Sequence, residues 1–440
     1  MGSIFKAYDI RGIYGEQLNE ELAVLIGRAF ATFLGCKKVV VGRDMRPHSE
    51  PLFKALAEGL VMQGVEVIDL GMVSTPMSYY ANGKLKADAG IMITASHNPG
   101  EYNGFKLCRE QAIPISGATG IKDIERIVQE KSFAPEADPV GTITRYDIIP
   151  EYIEHIREFA DLKRPVRVAI DYANAMGLFE GKVLEGLLDI DPLFDVLDGT
   201  FPNHEANPLV EETWEALQHK VREGEYDFAI AFDGDADRAG FMDEKGNIIP
   251  MDIITALIAE MVLKRDKGAA ILYDLRSSWA VKEIIEENGG RAVMSRVGHA
   301  FIKQQMRENN SVFAGELSGH YYFKENFFAE SASLAALYVA NLISDSEVPL
   351  SDLIKPIQRY VASGEINSTV SDPAAVFTRL VDAYGHGRRY DLDGLTIEFD
   401  DWWFNVRSSN TEPLIRLNLE AKTRDAMESH RDALLALIRQ

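Results

Sequence analysis

The segment DGDADR (233–238) sets three carboxylates at i, i+2 and i+4 directly behind the apolar run FAIAF. In a loop these side chains can converge on one hard cation, which prefers oxygen ligands, and three negative charges suit Mg²⁺. Two other readings compete. A solvated acidic turn has the same composition, but it explains poorly why an apolar run leads straight into three aspartates. An EF-hand would count Glu244 as the twelfth position from Asp233, yet Arg238 stands where that loop needs glycine, and strands rather than helices flank it. Asp233, Asp235 and Asp237 alone leave an octahedral ion short of ligands, a shortfall Mg²⁺ ordinarily fills with water and phosphate oxygens.

TASHNPGEYNGFK (94–106), behind the apolar AGIMI, offers such a phosphate. A phosphorylated Ser96 would bring acceptor oxygens and about two negative charges, and a metal could hold and polarise it. As a hydrolase nucleophile Ser96 lacks a G-x-S-x-G elbow. His97 is adjacent, and neighbouring side chains on an extended chain point apart. A plain polar turn remains open. In GELSGH (315–320) an extended chain would face Glu316, Ser318 and His320 one way, a carboxylate and a hydroxyl suited to two sugar hydroxyls; a capped turn is the alternative. RSSNTEP (407–413) joins an arginine, whose fork binds phosphate bidentately, to four side chains that can fill remaining oxygens. A surface turn is the other reading, and Pro413 weighs against a helix capped by Ser409 and Glu412.

Positioning these loops requires strands. KKVVVGRD (37–44), VEVIDLG (65–71) and ADAGIMITAS (87–96) alternate with a helix over 51–64. VRVAIDYANAMG (166–177), FDVLDG (194–199) and YDFAIAFDGDADR (226–238) form a second block, and 269–278, 291–308 and 311–323 a third. The rhythm predicts βαβ units and mostly parallel sheets that bind ligands beyond the strands' carboxyl ends. EINSTV, LTIEF and PLIRLNLEA followed by a last helix predict a smaller α+β domain. The 440 residues fit about three or four domains of roughly 100–150 residues.

With 46 basic and 68 acidic residues the net charge is −22. That field disfavours nucleic acid and anionic lipid, and an anionic substrate would need a local basic pocket or a metal. Two cysteines, Cys36 and Cys108, outside any C-x-x-C pattern fit a reducing, cytoplasmic compartment. The N-terminal stretch lacks the apolar core of a signal peptide. No P-loop supports a kinase.

In their order, FKAYDIRG (5–12), VGRDMR (41–46), TASHNP and YNGFK, DGDADR, VGHAFIK (297–303), GELSGH, EINSTV (365–370) and RSSNTEP resemble the α-D-phosphohexomutases end to end, most closely the bacterial phosphomannomutase/phosphoglucomutase type. The resemblance implies a phosphorylated Ser96, with Mg²⁺ on Ser96, Asp233, Asp235 and Asp237. His97, Lys106 and Arg238 stand beside the reacting group, Lys106 as the candidate for proton transfer. Glu316 and Ser318 would read sugar hydroxyls, with His320 nearby. Arg407, Ser408, Ser409, Asn410 and Thr411 would grip the non-reacting phosphate, and Tyr8, Arg11, Arg276 and His299 would line the pocket. Ala236 departs from the family's usual glycine, and Arg276 from its frequent lysine.

The implied fold is three similar mixed-sheet α/β domains (1–145, 146–246, 247–360) and a smaller C-terminal α+β domain (361–440) around a central cleft. The implied reaction interconverts hexose 1- and 6-phosphates of mannose, glucose or both through a bound hexose 1,6-bisphosphate. The partner is a small phosphosugar, not nucleic acid or membrane, and the chain is expected as a monomer or weak homodimer. An amino-sugar phosphate mutase, a metal-dependent sugar phosphatase and a non-catalytic sugar-phosphate sensor are the alternatives.

Overall fold

The computed structural model describes residues 4–408 and 414–440. Their strands form four sheets, and three of these share one topology. In the first, Lys38–Arg43 is central, with Glu66–Met72 and Ala89–Ile93 parallel on either side. Tyr102–Arg109 then adds antiparallel to Ala89–Ile93, Ile10–Ile13 antiparallel to that, and Ile143–Arg145 extends the far edge. The second sheet repeats the plan with Arg167–Asp171 between Asp189–Leu193 and Phe228–Phe232, followed by antiparallel Ala239–Asp243 and Ile248–Ile249. The third has Ala270–Asp274 between Arg291–Ser295 and Phe313–Gly315, followed by Tyr321–Phe323 and Ala329–Glu330. The sheets are therefore mixed.

This repetition places the chemistry. In each of these three sheets the third parallel strand turns back into the antiparallel fourth, and those three equivalent turns carry the Ser96 loop, DGDADR and ELSGH. Ala89–Ile93 and Phe228–Phe232, which feed two of them, and Ala270–Asp274, beside the third, are buried along their whole length, which is why AGIMI, FAIAF and AILY read as apolar runs.

FDVLDG is not a strand. The second block's edge strand is Asp189–Leu193, just upstream. An edge tolerates Pro192, and the left-handed Phe194 (φ 51°) turns the chain out of the sheet. The second sheet also runs to Ile249, past the boundary expected at 246, because DEKGN is its hairpin turn.

The fourth sheet is antiparallel, ordered Val361–Ala362, Leu414–Ala421, Trp402–Ser408, Leu395–Glu398, Arg388–Tyr390, with Ile366–Thr369 also on Leu414–Ala421. Helices Pro373–Tyr384 and Arg424–Ile438, capped by Asp372 and Thr423, pack on it. Its apolar core is its own, whereas one contiguous core runs through the first three units. Inside that shared core lies helix Ala332–Ser344, mostly apolar and buried at every position but Leu342.

One carboxylate ties the three units together. Glu180, fully buried, accepts from Ser74 of the first unit (2.5 Å), Tyr152 of the second (3.1 Å) and Ser333 of the third (2.5 Å). Glu180→Ala takes the shared acceptor from three buried hydroxyls, of which Tyr152 retains Ser331, and leaves a buried gap between the units, so a loss on the order of 3 kcal/mol is expected. It would be read as a lower midpoint of urea unfolding; an unchanged midpoint would show that these bonds do not hold the units together.

Candidate active site

The Ser96 loop of the first unit and the aspartate loop of the second meet without a gap. Ser96 is 2% exposed, and its Oγ donates to Asp233 Oδ2 at 3.0 Å. The approach depends on Gly234, where a methyl group would stand 2.2 Å from the Ser96 carbonyl oxygen. Ser96 itself is left-handed (φ 52°), a conformation that costs energy for a non-glycine residue and is held by its surroundings. That turn also overturns the expectation for His97. Off the extended chain, its Nδ1 comes to 3.0 Å from Ser96 Oγ. Burial, then the Arg238 and Arg11 charges, push the imidazole well below its usual pKa, so it is neutral. Arg11 holds the same loop through Asn98 (2.7 Å).

Asp233, Asp235 and Asp237 bring carboxylate oxygens within 4.8 Å of one another in the interior. Strands flank the loop and Glu244 is bound to Ser351, so the EF-hand reading is excluded. Ala236 adopts φ 59°, the conformation that glycine would take freely. Burial and then the charges of Asp237 and Asp235 push Asp233 up to about 8. Asp235 Oδ1 is buried without a hydrogen-bond partner, and Asp237 Oδ1 is met by His320 Nε2 at 3.3 Å. Crowded like charges and an orphaned oxygen are what a hard divalent cation would relieve, so the residues fit one.

Lys106 supplies positive charge here, donating to Asp235 Oδ2 at 2.6 Å and Asp237 Oδ2 at 2.5 Å. Burial opposes its charge, but Asp235, Asp237 and Asp233 outweigh burial and hold it protonated. Thr75 of the first unit also binds Asp235 (2.6 Å), across 160 residues of sequence; no local pattern marks it.

GELSGH is a turn, not an extended segment. Glu316 N–H donates to the His320 carbonyl and Gly319 sits at φ 85°. The tight turn still converges the three side chains. His320 Nδ1 lies 2.8 Å from Ser318 Oγ and 3.1 Å from Glu316 Oε2, while its Nε2 faces Asp237 at 3.3 Å. Burial disfavours a charged His320, yet Asp237 prevails and, aided by Glu316, lifts it to about 9. Arg238 Nε lies 3.2 Å from His320 Nε2, where its charge works against that of the imidazolium, and both cations face Asp237 Oδ1. Tyr8 packs edge-on against His299, whose ring is kept neutral by burial and by Lys303.

On the fourth unit Arg407 (2.5 Å) and Arg416 (3.1 Å) converge on Glu365, which Arg276 of the third unit approaches to 3.6 Å. Sequence reasoning missed Arg416 and Glu365. EINSTV was the only hint of Glu365, and nothing local marks Arg416. Ser408 ends its strand exposed; Ser409, Asn410 and Thr411 lie outside the described residues.

Four profiles of one family match the chain: phosphoglucomutase/phosphomannomutase alpha/beta/alpha domains I (2–135), II (150–246) and III (250–360), and the C-terminal domain (365–437). The chain belongs to this family. It is 39% identical to a phosphomannomutase of Escherichia coli over 99% of both chains, and 40% identical to one of Methanocaldococcus jannaschii over 99% of this chain and 97% of that one. A Burkholderia thailandensis phosphoglucomutase/phosphomannomutase family protein superposes with a TM-score of 0.91 at 32% identity, over 99% and 96% of the two chains. The chain is therefore a phosphohexomutase, an enzyme of the α-D-phosphohexomutase superfamily close to the bacterial phosphomannomutases. Among the described residues no helix is long and apolar enough to cross a membrane.

Gly234→Ala in this phosphohexomutase must part the two loops. It is expected to lower kcat about 100-fold; wild-type turnover would deny the close approach its importance. For His320, a folded pKa raised to about 9 means its contribution to stability is full below about 6.5 and is lost as pH rises through 9. Proton NMR of chelator-treated enzyme should show one imidazole titrating near 9, with those of His97 and His299 neutral at pH 7. A His320 midpoint at the ordinary value would contradict this charge assignment.

Proposed function

We propose that the enzyme rests as phospho-Ser96 and interconverts hexose 1-phosphate and hexose 6-phosphate, of mannose, glucose or both, through a retained hexose 1,6-bisphosphate. The carrying observation is that Ser96 Oγ lies 3.0 Å from a carboxylate of the buried aspartate triad. The relatives' names supply the sugar class.

A hexose 1-phosphate binds with its phosphate against Arg407 and the residues that follow it, Ser408, Ser409, Asn410 and Thr411, with Arg276 alongside. Glu316 and Ser318 bind the hydroxyls that glucose and mannose share, so one loop serves both. The 6-hydroxyl attacks the phosphorus in line, forming the O6–P bond as P–Oγ breaks. Lys106 starts protonated and so gives a proton to the departing Oγ; the proton lost by the sugar hydroxyl restores it. Arg238 and protonated His320 face the charge that develops, and His97, neutral, orients Oγ. Asp233, Asp235 and Asp237 with Ser96 would hold Mg²⁺, which when bound supplies Lewis-acid stabilisation of the transferring group. The bisphosphate turns over in place, presents its other end to the same residues and returns a phosphoryl group to Ser96. Tyr8, Arg11 and His299 wall the pocket.

The assigned units are 1–145 for the phosphoserine, 146–249 for the metal, with the end moved from 246 to the close of its sheet, 250–360 for the sugar and 361–440 for the distal phosphate. The separate core of the fourth supports its swinging to close the site. Two buried, unpaired cysteines favour a cytoplasmic setting, and a monomer or weak homodimer suffices for this chemistry.

Purified enzyme is expected to carry one phosphoryl group by intact mass, and glucose 1,6-bisphosphate should revive any dephosphorylated fraction. Ser96→Ala should abolish isomerisation of mannose 1-phosphate and glucose 1-phosphate. A Ser96→Ala enzyme that still isomerises, or a wild type that releases inorganic phosphate instead, would overturn the proposal.

A further inference from the structure

The motif VGRDMR ends in an arginine that the reaction above does not use. Arg46 has no exposed side-chain surface, and all five of its guanidinium hydrogens are donated. One terminal nitrogen binds the carbonyls of Ser96 (2.9 Å) and Asn98 (2.6 Å). The other binds those of Pro99 (2.7 Å) and Tyr102 (3.0 Å). Nε donates to Asp44 Oδ2 at 3.2 Å. Asp44 is fixed in turn by the Arg46 amide (3.0 Å) and Ser49 Oγ (2.5 Å). From the second unit, Phe201 lies under the guanidinium at 5.1 Å, and Gly199 comes so close that a methyl group there would meet Arg46 Cα at 2.8 Å.

We infer that Arg46 is a positioning residue for phosphoryl transfer: its saturated fork holds Ser96 in the left-handed conformation that aims Oγ at the aspartates. The inference rests on the phosphoserine reading. Four carbonyls of one short loop point inward on a single cation, and a hydroxyl-bearing residue in an unfavourable backbone conformation must be held by such outside bonds. Only a planar fork fits. A lysine presents three donors around one point, so it can keep some of the carbonyls but not the set. Arg46 touches neither the reacting oxygen nor any residue assigned to the sugar, so its loss acts on the geometry of transfer rather than on substrate affinity.

The test compares wild type, Arg46→Lys and Asp44→Asn, the last keeping the shape of its side chain while weakening the hold on Nε. For each, thermal midpoint, kcat, KM for glucose 1-phosphate and the rate of Ser96 phosphorylation by glucose 1,6-bisphosphate are measured. Arg46→Lys is expected to lose about 100-fold in both kcat and the phosphorylation rate, with KM within about twofold. Asp44→Asn should fall in the same direction, less steeply. If Arg46→Lys does not fold, Asp44→Asn decides. Unchanged kcat, or kcat and KM worsening together in step with the thermal midpoint, would reduce Arg46 to scaffolding and overturn the inference. A wild type that never carries phosphate on Ser96 would instead remove the reading beneath it.

Discussion

Three carboxylates buried within 4.8 Å of one another repel strongly, and the rest of the site is arranged around that repulsion. Lys106, Arg238 and His320 close in from three directions, each from a different unit of the fold. Their charges are sustained by the aspartates, and against burial Lys106 and His320 in turn hold the Asp237 carboxyl well below its usual range. In a protein of net charge −22 this is also how an anionic phosphate can be admitted. The repulsive field is global, whereas the cleft is paved locally with cations whose partners can be exchanged.

The fold achieves this convergence economically. One sheet topology, used three times, offers the same strand-to-strand turn at three places, and packing the units around a common core brings the three turns together. Glu180 at the centre of the first three units and Gly234 at the loop contact are the points of least tolerance, one for charge and the other for volume. The fourth unit, with a core of its own, holds its arginines on its own Glu365, which Arg276 of the third unit also approaches. That carboxylate occupies the kind of partner position that a phosphate could take.

Much of this was legible in the sequence because the decisive loops are short, polar and directly behind buried strands. DGDADR, SHNP and GELSGH stand out for that reason, and the three-plus-one organisation follows from the strand rhythm. What stayed hidden depends on distance in sequence or on backbone shape. Thr75 reaches Asp235 over 160 residues, and Arg46 bonds to carbonyls, which leave no trace in side-chain identity. His97 turned toward Ser96 because of a left-handed residue no pattern announced. FDVLDG looked like a strand because apolar residues alternate there, but the edge position and Phe194 moved the real one upstream. The equivalence of the three loops is likewise invisible in residues that share no motif.

The central claim is that the hydroxyl of Ser96, phosphorylated, lies against a cation held by the three aspartates. Phosphorus NMR of the phosphoenzyme during titration with Mn²⁺ tests it most directly. The account predicts that the phosphoserine resonance broadens beyond detection as one equivalent binds, and that Asp235→Asn weakens the effect. A phosphoserine signal that stays sharp with the metal bound would contradict it.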